Sequence, residues 1–184
     1  DQGPIICSAP ENAIKDPKNF FGSMIVRPND DGSNGLFLSS EQINAIAVDG
    51  GNRKWIGTGS SGIFLINPTG TETIEHFTAD NSPLLSDNIL SIAIDHKTGE
   101  VFIGTDKGII SYLGTATEAR SNYSDVYAFP NPVRPDFDGS VTITGLMADS
   151  NIKITDLNGN LIYQTKSAGG QATWNGRSHN GRRV

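Results

Sequence analysis

A repeat of 46 residues constrains this chain more than any other feature. The run Ile43–Asp49 returns as Ile89–Asp95, 46 residues later, and both runs alternate large apolar residues with small or polar ones before they end in aspartate. Each run is followed by a second motif, Lys54–Thr58 in the first copy and Val101–Thr105 in the second. Short β-rich runs at this period, separated by glycine- and asparagine-rich turns, are typical of propeller blades of about four strands. The repeat therefore predicts an all-β fold built on a partial β-propeller.

Period-two alternation places the strands of the first complete blade. We predict strands at Ile43–Val48, Trp55–Thr58, Ile63–Ile66 and Thr73–Phe77. The second copy runs from Leu85 to about Leu113, and no fourth strand is predicted for it.

The first residues predict part of a further blade. Asp1–Ile6 has the pattern of Asp106–Ile110, which follows the Gly-Thr motif of the second copy, and Ser23–Arg27 could complete that partial blade. The chain is therefore expected to begin inside a blade. Residues 1–113 are predicted to hold about two blades plus part of another, and 114–124 a linker.

The composition changes after the linker. Residues 125–184 are predicted to form a small immunoglobulin-like sandwich whose final strand is missing, because short alternating runs follow one another at regular spacing. Asn158-Gly159 gives the strongest turn signal of the chain. The predicted strands are Val141–Thr144, Ile152–Thr155, Leu161–Gln164 and Gln171–Trp174.

Two glycines occupy equivalent positions in the middle of predicted strands. Gly57 and Gly104 are both followed by threonine in the repeated Ile-Gly-Thr motif. Glycine weakens a strand interior and is typical of places where another group approaches the backbone closely. Both positions therefore predict close packing near the narrow axis of the propeller.

The overall charge argues against two classes of partner. The net charge is −6, and the sequence pI is about 4.9. A nucleic-acid or anionic-membrane surface would require a basic patch, so neither partner is expected. No apolar run reaches the roughly 20 residues that a membrane-spanning helix needs.

The residues that could carry chemistry form no catalytic or metal-binding pattern, so we predict neither catalytic residues nor a cofactor. His76, His96 and His179 have no His or Cys neighbour at metal-ligand spacing, and each is expected to be solvated or locally hydrogen-bonded. Cys7 has no evident base partner and is predicted to be a packed thiol at the end of a strand.

Three acidic features have structural explanations. Asp49 and Asp95 recur in the repeat and could ring a ligand, but aspartate before such a hairpin more often binds its own turn backbone. Asn29–Gly35 resembles a calcium loop in composition, yet Ser40 stands where the closing glutamate would be. A solvated turn is the favoured interpretation of that segment.

Aromatic and basic residues supply the remaining candidates. Trp55, Phe102 and Trp174 could stack on sugars, although their strand positions favour core packing. Arg177, Arg182 and Arg183 form a basic end that could meet phosphate or an acidic partner, while simple solvation is the favoured alternative.

The ordered motifs resemble a known family. The Ile-x-x-Ile-x-x-Asp run with Trp-Ile-Gly-Thr resembles the two-component-regulator propeller repeat of Bacteroidetes. The finer motifs are similar to the PorZ family, a surface component of type IX secretion in which propellers precede a C-terminal sorting-type domain. The segments that carry this likeness are Asn52–Thr58, His76–Ser86, Thr98–Asp106, Phe129–Pro132, Asn158–Asn160 and Trp174–Gly181.

The resemblance implies a non-enzymatic, surface-exposed binding or docking protein at the outer membrane, related to type IX secretion. Implied partners are upstream propeller domains of the same protein, surface lipopolysaccharide and secretion-system proteins. Open sheet edges could also lead to self-association. Two alternatives stay open: a periplasmic glycan-sensing region of a hybrid two-component regulator, and a glycan-degrading enzyme.

Overall fold

The computed structural model describes residues 3–7, 10–16, 18, 21–28 and 34–184. Within these residues the regular elements are strands, apart from one helical turn, α1, at Asn12–Lys15. The predicted all-β class is therefore confirmed. The chain folds into two compact units. The first unit holds Asp1–Ala47, Arg53–Ala93 and Phe102–Ile110, and the second holds Val48–Asn52, Ile94–Val101 and Ser111–Val184.

The first strands are short and pair as two small hairpins. Strand β1 (Ile5–Ile6) pairs with β2 (Ser23–Met24), and β3 (Val26–Pro28) pairs with β4 (Asn34–Leu36). The strand predicted at Ser23–Arg27 is thus interrupted at Ile25, whose side chain is buried.

Two predictions for the first residues come out differently. Cys7 is exposed, so the prediction of a packed thiol is wrong. The physical reason is that β1 ends at Ile6 and, among the residues the structure describes, pairs only with the two-residue β2, which leaves the following residue uncovered. Residues 29–33 of the calcium-like segment lie outside the described residues, and that interpretation stays a prediction.

The first blade is a four-stranded antiparallel sheet in sequence order, made of β5, β6, β7 and β8. Three of its strands have the predicted bounds, and β6 begins one residue earlier, at Lys54. The strands are β5 (Ile43–Val48), β6 (Lys54–Thr58), β7 (Ile63–Ile66) and β8 (Thr73–Phe77). Strands β6 and β7 are almost fully buried on both of their faces. A strand that is buried on both faces carries apolar residues at successive positions instead of alternating them with polar ones.

The second blade has three described strands. They are β9 (Ile89–Asp95), β10 (Glu100–Thr105) and β11 (Gly108–Leu113), arranged in the order β11-β10-β9. In the first blade the strand equivalent to β11 is β7, which pairs with β8 on its outer side. Among the described residues no strand takes the corresponding place beside β11.

Blade packing explains the glycine at position 57. A Cβ atom built on Gly57 would lie 2.5 Å from Ile89 Cγ2 and 2.9 Å from Ile89 Cβ, so β6 can approach β9 only without a side chain there. At the equivalent Gly104 the nearest group to such a Cβ atom would be the Ser91 hydroxyl, on the neighbouring strand β9 of the same blade. The predicted close approach is therefore confirmed for Gly57, whereas the neighbour of Gly104 is an exposed side chain of the same sheet. A position near the propeller axis stays a prediction for both.

The last five strands form two separate antiparallel sheets. One has the order β12-β13-β16 and the other pairs β14 with β15. Four of them have bounds close to those predicted: β13 (Val141–Thr144), β14 (Asn151–Thr155), β15 (Leu161–Lys166) and β16 (Gln171–Trp174). Strand β12 (Tyr127–Phe129) was not predicted. The turn between β14 and β15 contains Gly159 at φ 84°. The partial propeller followed by short antiparallel sheets agrees with the predicted fold class.

Candidate docking surface

The repeated aspartates serve their own turns. One Asp49 carboxylate oxygen (Oδ1) accepts a hydrogen bond from the Gly51 amide at 2.9 Å, and Asp95 accepts one from the Lys97 amide at 2.9 Å. The hydrogen bond from the Lys97 amide is the main cause that lowers the pKa of Asp95. Hydrogen bonds from Thr98 lower that pKa further. The prediction that these carboxylates bind turn backbone is confirmed.

The three histidines have different surroundings. His76 on β8 has its Nε2 atom 2.8 Å from the Ser61 carbonyl oxygen, and its ring stacks on Phe64 with centroids 3.9 Å apart. His179 stacks on Tyr163 at 5.4 Å. His96 is exposed in the turn after β9. Among the described residues no three His, Cys, Asp or Glu side chains are grouped as a metal site would need.

The aromatic candidates have different surroundings. Trp55 is fully buried, as predicted for a core residue. Trp174 is half-buried, and its Nε1 donates a hydrogen bond to the Arg177 carbonyl oxygen at 2.7 Å. Phe102 is 40% exposed, so the prediction of a core residue is wrong. The predicted basic end keeps its arginines exposed at Arg177, Arg182 and Arg183.

Phe102 belongs to an apolar face that the described chain leaves partly exposed. Residues 55 and 102, and residues 63 and 109, occupy equivalent places in the two blades. In the first blade Trp55 and Ile63 are both 0% exposed, whereas in the second blade Phe102 is 40% and Ile109 is 76% exposed. We call Phe102, Gly104 and Ile109 the outer face of the second blade. The contrast in exposure between equivalent positions makes it the candidate docking surface.

The register of the first blade shows why these residues share one face. Gly57 lies directly opposite Ile63 in the β6–β7 ladder, and directly opposite residues project from the same side of a sheet. Gly104 and Ile109 are their equivalents in the second blade. In the first blade Ile89 of the next blade packs against Gly57. An equivalent neighbour would cover Gly104 and Ile109.

This chain is similar in structure to known proteins. No family model and no curated protein sequence matches the chain. A solved structure does match: PorZ, an essential surface component of the type-IX secretion system of Porphyromonas gingivalis. It is 32% identical, with a TM-score of 0.68, and the match covers 100% of this chain and 25% of PorZ.

The predicted resemblance to the PorZ family is confirmed. This chain spans about a quarter of the length of PorZ. PorZ is described as a bacterial surface component, which agrees with the cell-surface or periplasmic location predicted for this chain.

Two further solved structures are weaker matches. They are extracellular domains from B. thetaiotaomicron, one described as part of a hybrid two-component system and one as part of a one-component system. The first is 17% identical with a TM-score of 0.33 and covers 72% of this chain and 21% of its own. The second is 18% identical with a TM-score of 0.34 and covers 74% and 19%. Such TM-scores establish no shared fold.

Membrane helices are not part of the described structure: none of its helices has the length and apolar character needed to cross a bilayer.

The docking surface itself was not predicted from the sequence. Phe102 and Trp55 occupy equivalent strand positions, but only Trp55 has a described fourth strand beside it, where it stacks on Phe77 of β8. One sequence signal could have indicated this exposed face: the second copy of the repeat has no predicted fourth strand.

Proposed function

We propose that this chain is a non-enzymatic docking segment of a surface-exposed propeller protein related to type IX secretion. We further propose that the outer face of the second blade is covered by another blade of the same longer protein. The observation that carries the proposal is the contrast between Ile63, at 0% exposure, and its repeat equivalent Ile109, at 76%. The match to a surface secretion component over the full length of this chain supports the cellular setting.

The energetics favour a covered face. Burying a large aliphatic side chain contributes about 1.5–3 kcal/mol, and exposed apolar surface beside an unpaired strand is a place where proteins associate. A further blade of the same repeat would present the equivalents of Ile89 and Ile92, which already pack at Gly57 in the first blade. That geometry makes a neighbouring blade the best-fitting occupant. Association with surface lipopolysaccharide or with secretion proteins would then use other surfaces of the whole protein.

The occupant can be tested with two matched substitutions. Ile109→Glu places a charge on the outer face, whereas Ile14→Glu makes the same change on α1 at a residue that is 88% exposed. In the full-length protein we expect Ile109→Glu to lower the melting temperature clearly and Ile14→Glu to leave it unchanged. In the 184-residue chain alone both should be nearly neutral. Equal effects of the two substitutions in the full-length protein would refute the proposal.

The surface location needs its own experiment. Intact source cells are treated with protease, and peptides spanning Trp55 and Trp174 are sought in the supernatant. Release of both peptides from unbroken cells supports the surface role. Protection until the outer membrane is permeabilised would contradict it and favour a periplasmic glycan-sensing role instead.

A further inference from the structure

A cavity of about 450 Å³ lies in the second unit, between the segment that precedes β13 and the segment that follows β16. Its size falls within the usual range for small-molecule sites, about 300–1,000 Å³. Apolar groups from both segments line it, including Phe137, Val141 and Trp174. Val141 is buried and Trp174 is half-buried, so these two side chains give the cavity an apolar wall that includes the indole ring of Trp174.

The rest of the lining carries an excess of positive charge. Arg134, Arg177 and Arg183 line the cavity with one acidic side chain, Asp138, and with Val184, whose α-carboxylate adds a second negative charge in the 184-residue chain. Arg177 donates to the Gly181 carbonyl oxygen at 3.0 Å. Arg183 donates to the carbonyl oxygens of Pro135 and Phe137 at 3.1 and 2.9 Å. These acceptors are neutral, so they orient the guanidinium groups without cancelling their charge.

The pairing of two of these arginines points to an anion. Arg177 and Arg183 are direct partners in an antiparallel bridge. Like charges directly opposite each other destabilise a strand pair. An anion in the cavity that both residues line would offset that repulsion, because guanidinium binds carboxylate and phosphate oxygens through paired N–H donors.

We infer that this cavity binds a small organic anion, a phosphate or carboxylate carried on a flat apolar body. The arginines would hold the charged head, and the Trp174 wall would contact the apolar body. The hydrogen bond from Trp174 Nε1 to the Arg177 carbonyl fixes the indole ring relative to the arginine hairpin. The inference is independent of the docking role proposed above.

Phenyl phosphate serves as the probe, with inorganic phosphate and phenol as its two halves. The chain has 2 tryptophans, so the indole N–H signals in a ¹⁵N NMR spectrum report separately on Trp174 and on the fully buried Trp55. We expect phenyl phosphate to shift the Trp174 signal saturably and to leave Trp55 unmoved. Inorganic phosphate should bind at least about tenfold more weakly, and phenol should not bind. Equal affinity for phosphate and phenyl phosphate, or no shift of Trp174, would overturn the inference.

Matched arginine variants complete the test. Arg177→Gln keeps an N–H donor for Gly181 but removes the charge, and it should weaken phenyl phosphate binding about tenfold, the scale of one charged hydrogen bond. Arg182→Gln removes the same charge from the same hairpin outside the cavity lining and should leave the affinity almost unchanged. Without ligand, Arg177→Gln should melt no lower than the parent, because it relieves the like-charge pair. Equal loss of affinity in both variants would show a non-specific charge effect and refute the site.

Discussion

The two glycines of the repeated Ile-Gly-Thr motif allow blade packing to be tested with an internal control. Gly57→Ala would place a Cβ atom 2.5 Å from Ile89 Cγ2 and 2.9 Å from Ile89 Cβ. Carbon atoms pack at about 3.5–4.0 Å, so β6 and β9 must separate by about 1 Å. Gly104→Ala meets the Ser91 hydroxyl, and Ser91 is exposed and can turn its hydroxyl toward solvent.

The two substitutions should therefore differ in sign. Overpacking costs about 1–3 kcal/mol, while replacing a strand glycine by alanine recovers about 0.5–1 kcal/mol. We expect Gly57→Ala to lower the free energy of unfolding by about 1–2 kcal/mol and Gly104→Ala to leave it unchanged or raise it slightly. For a chain of this size 1 kcal/mol corresponds to about 2–4 °C in melting temperature. Urea unfolding followed by circular dichroism measures both variants.

A compensating change at the packing partner makes the test specific. Ile89→Leu removes the Cγ2 branch that the new methyl group would strike, so it should recover part of the loss in Gly57→Ala. Ile89→Val keeps Cγ2 and should recover nothing. Similar destabilisation by Gly57→Ala and Gly104→Ala, or equal rescue by leucine and valine, would refute the account of blade packing.

Three further predictions follow from individual contacts. Gly169→Ala should destabilise the second unit by at least about 1 kcal/mol in urea unfolding, because φ is +62° and a Cβ would strike the Thr117 carbonyl oxygen; a neutral result would contradict this geometry. A hydrogen bond from the Asn160 side chain, followed by those from backbone amides, lowers the pKa of Asp156 in the folded chain. The ionised carboxylate therefore stabilises the fold above the unfolded pKa of about 3.9, and this stabilisation is lost as the pH falls through the lower folded pKa. Asp156→Asn should flatten the fall of unfolding free energy below about pH 4, and an unchanged slope would exclude this contribution. His76→Ala should cost about 0.5–1.5 kcal/mol through lost stacking on Phe64, whereas His96→Ala in the exposed turn should cost almost nothing.

The alternation of residues predicted most strands because the rule is local. The bounds of Ile43–Val48, Ile63–Ile66 and Gln171–Trp174 follow from period-two patterns and flanking turns, and the structure reproduces them. The roles of Asp49 and Asp95 were predictable for the same reason, since an aspartate bonds to the backbone two residues ahead.

Exposure was harder to predict, because it depends on groups distant in sequence. Trp55 and Phe102 stand at equivalent positions in nearly identical motifs, yet one is fully buried and the other is 40% exposed. In the first blade Trp55 stacks on Phe77 of β8, and among the described residues no strand takes the place of β8 beside β11. The cavity beside Trp174 was missed for a related reason. Its wall combines a segment before β13 with one after β16, and only the fold brings Arg134 near Arg177 and Arg183.

The central claim is that another blade of the same protein covers the outer face of the second blade, and thiol labelling tests it most directly. In a Cys7→Ser background, Ile109→Cys carries the probe on the outer face and Ile14→Cys carries a control away from it. Both thiols should react rapidly in the 184-residue chain, where the native side chains are 76% and 88% exposed. In the full-length protein the account predicts that the thiol at position 109 becomes protected while the thiol at position 14 stays reactive. Equally fast labelling at both positions in the full-length protein would contradict it.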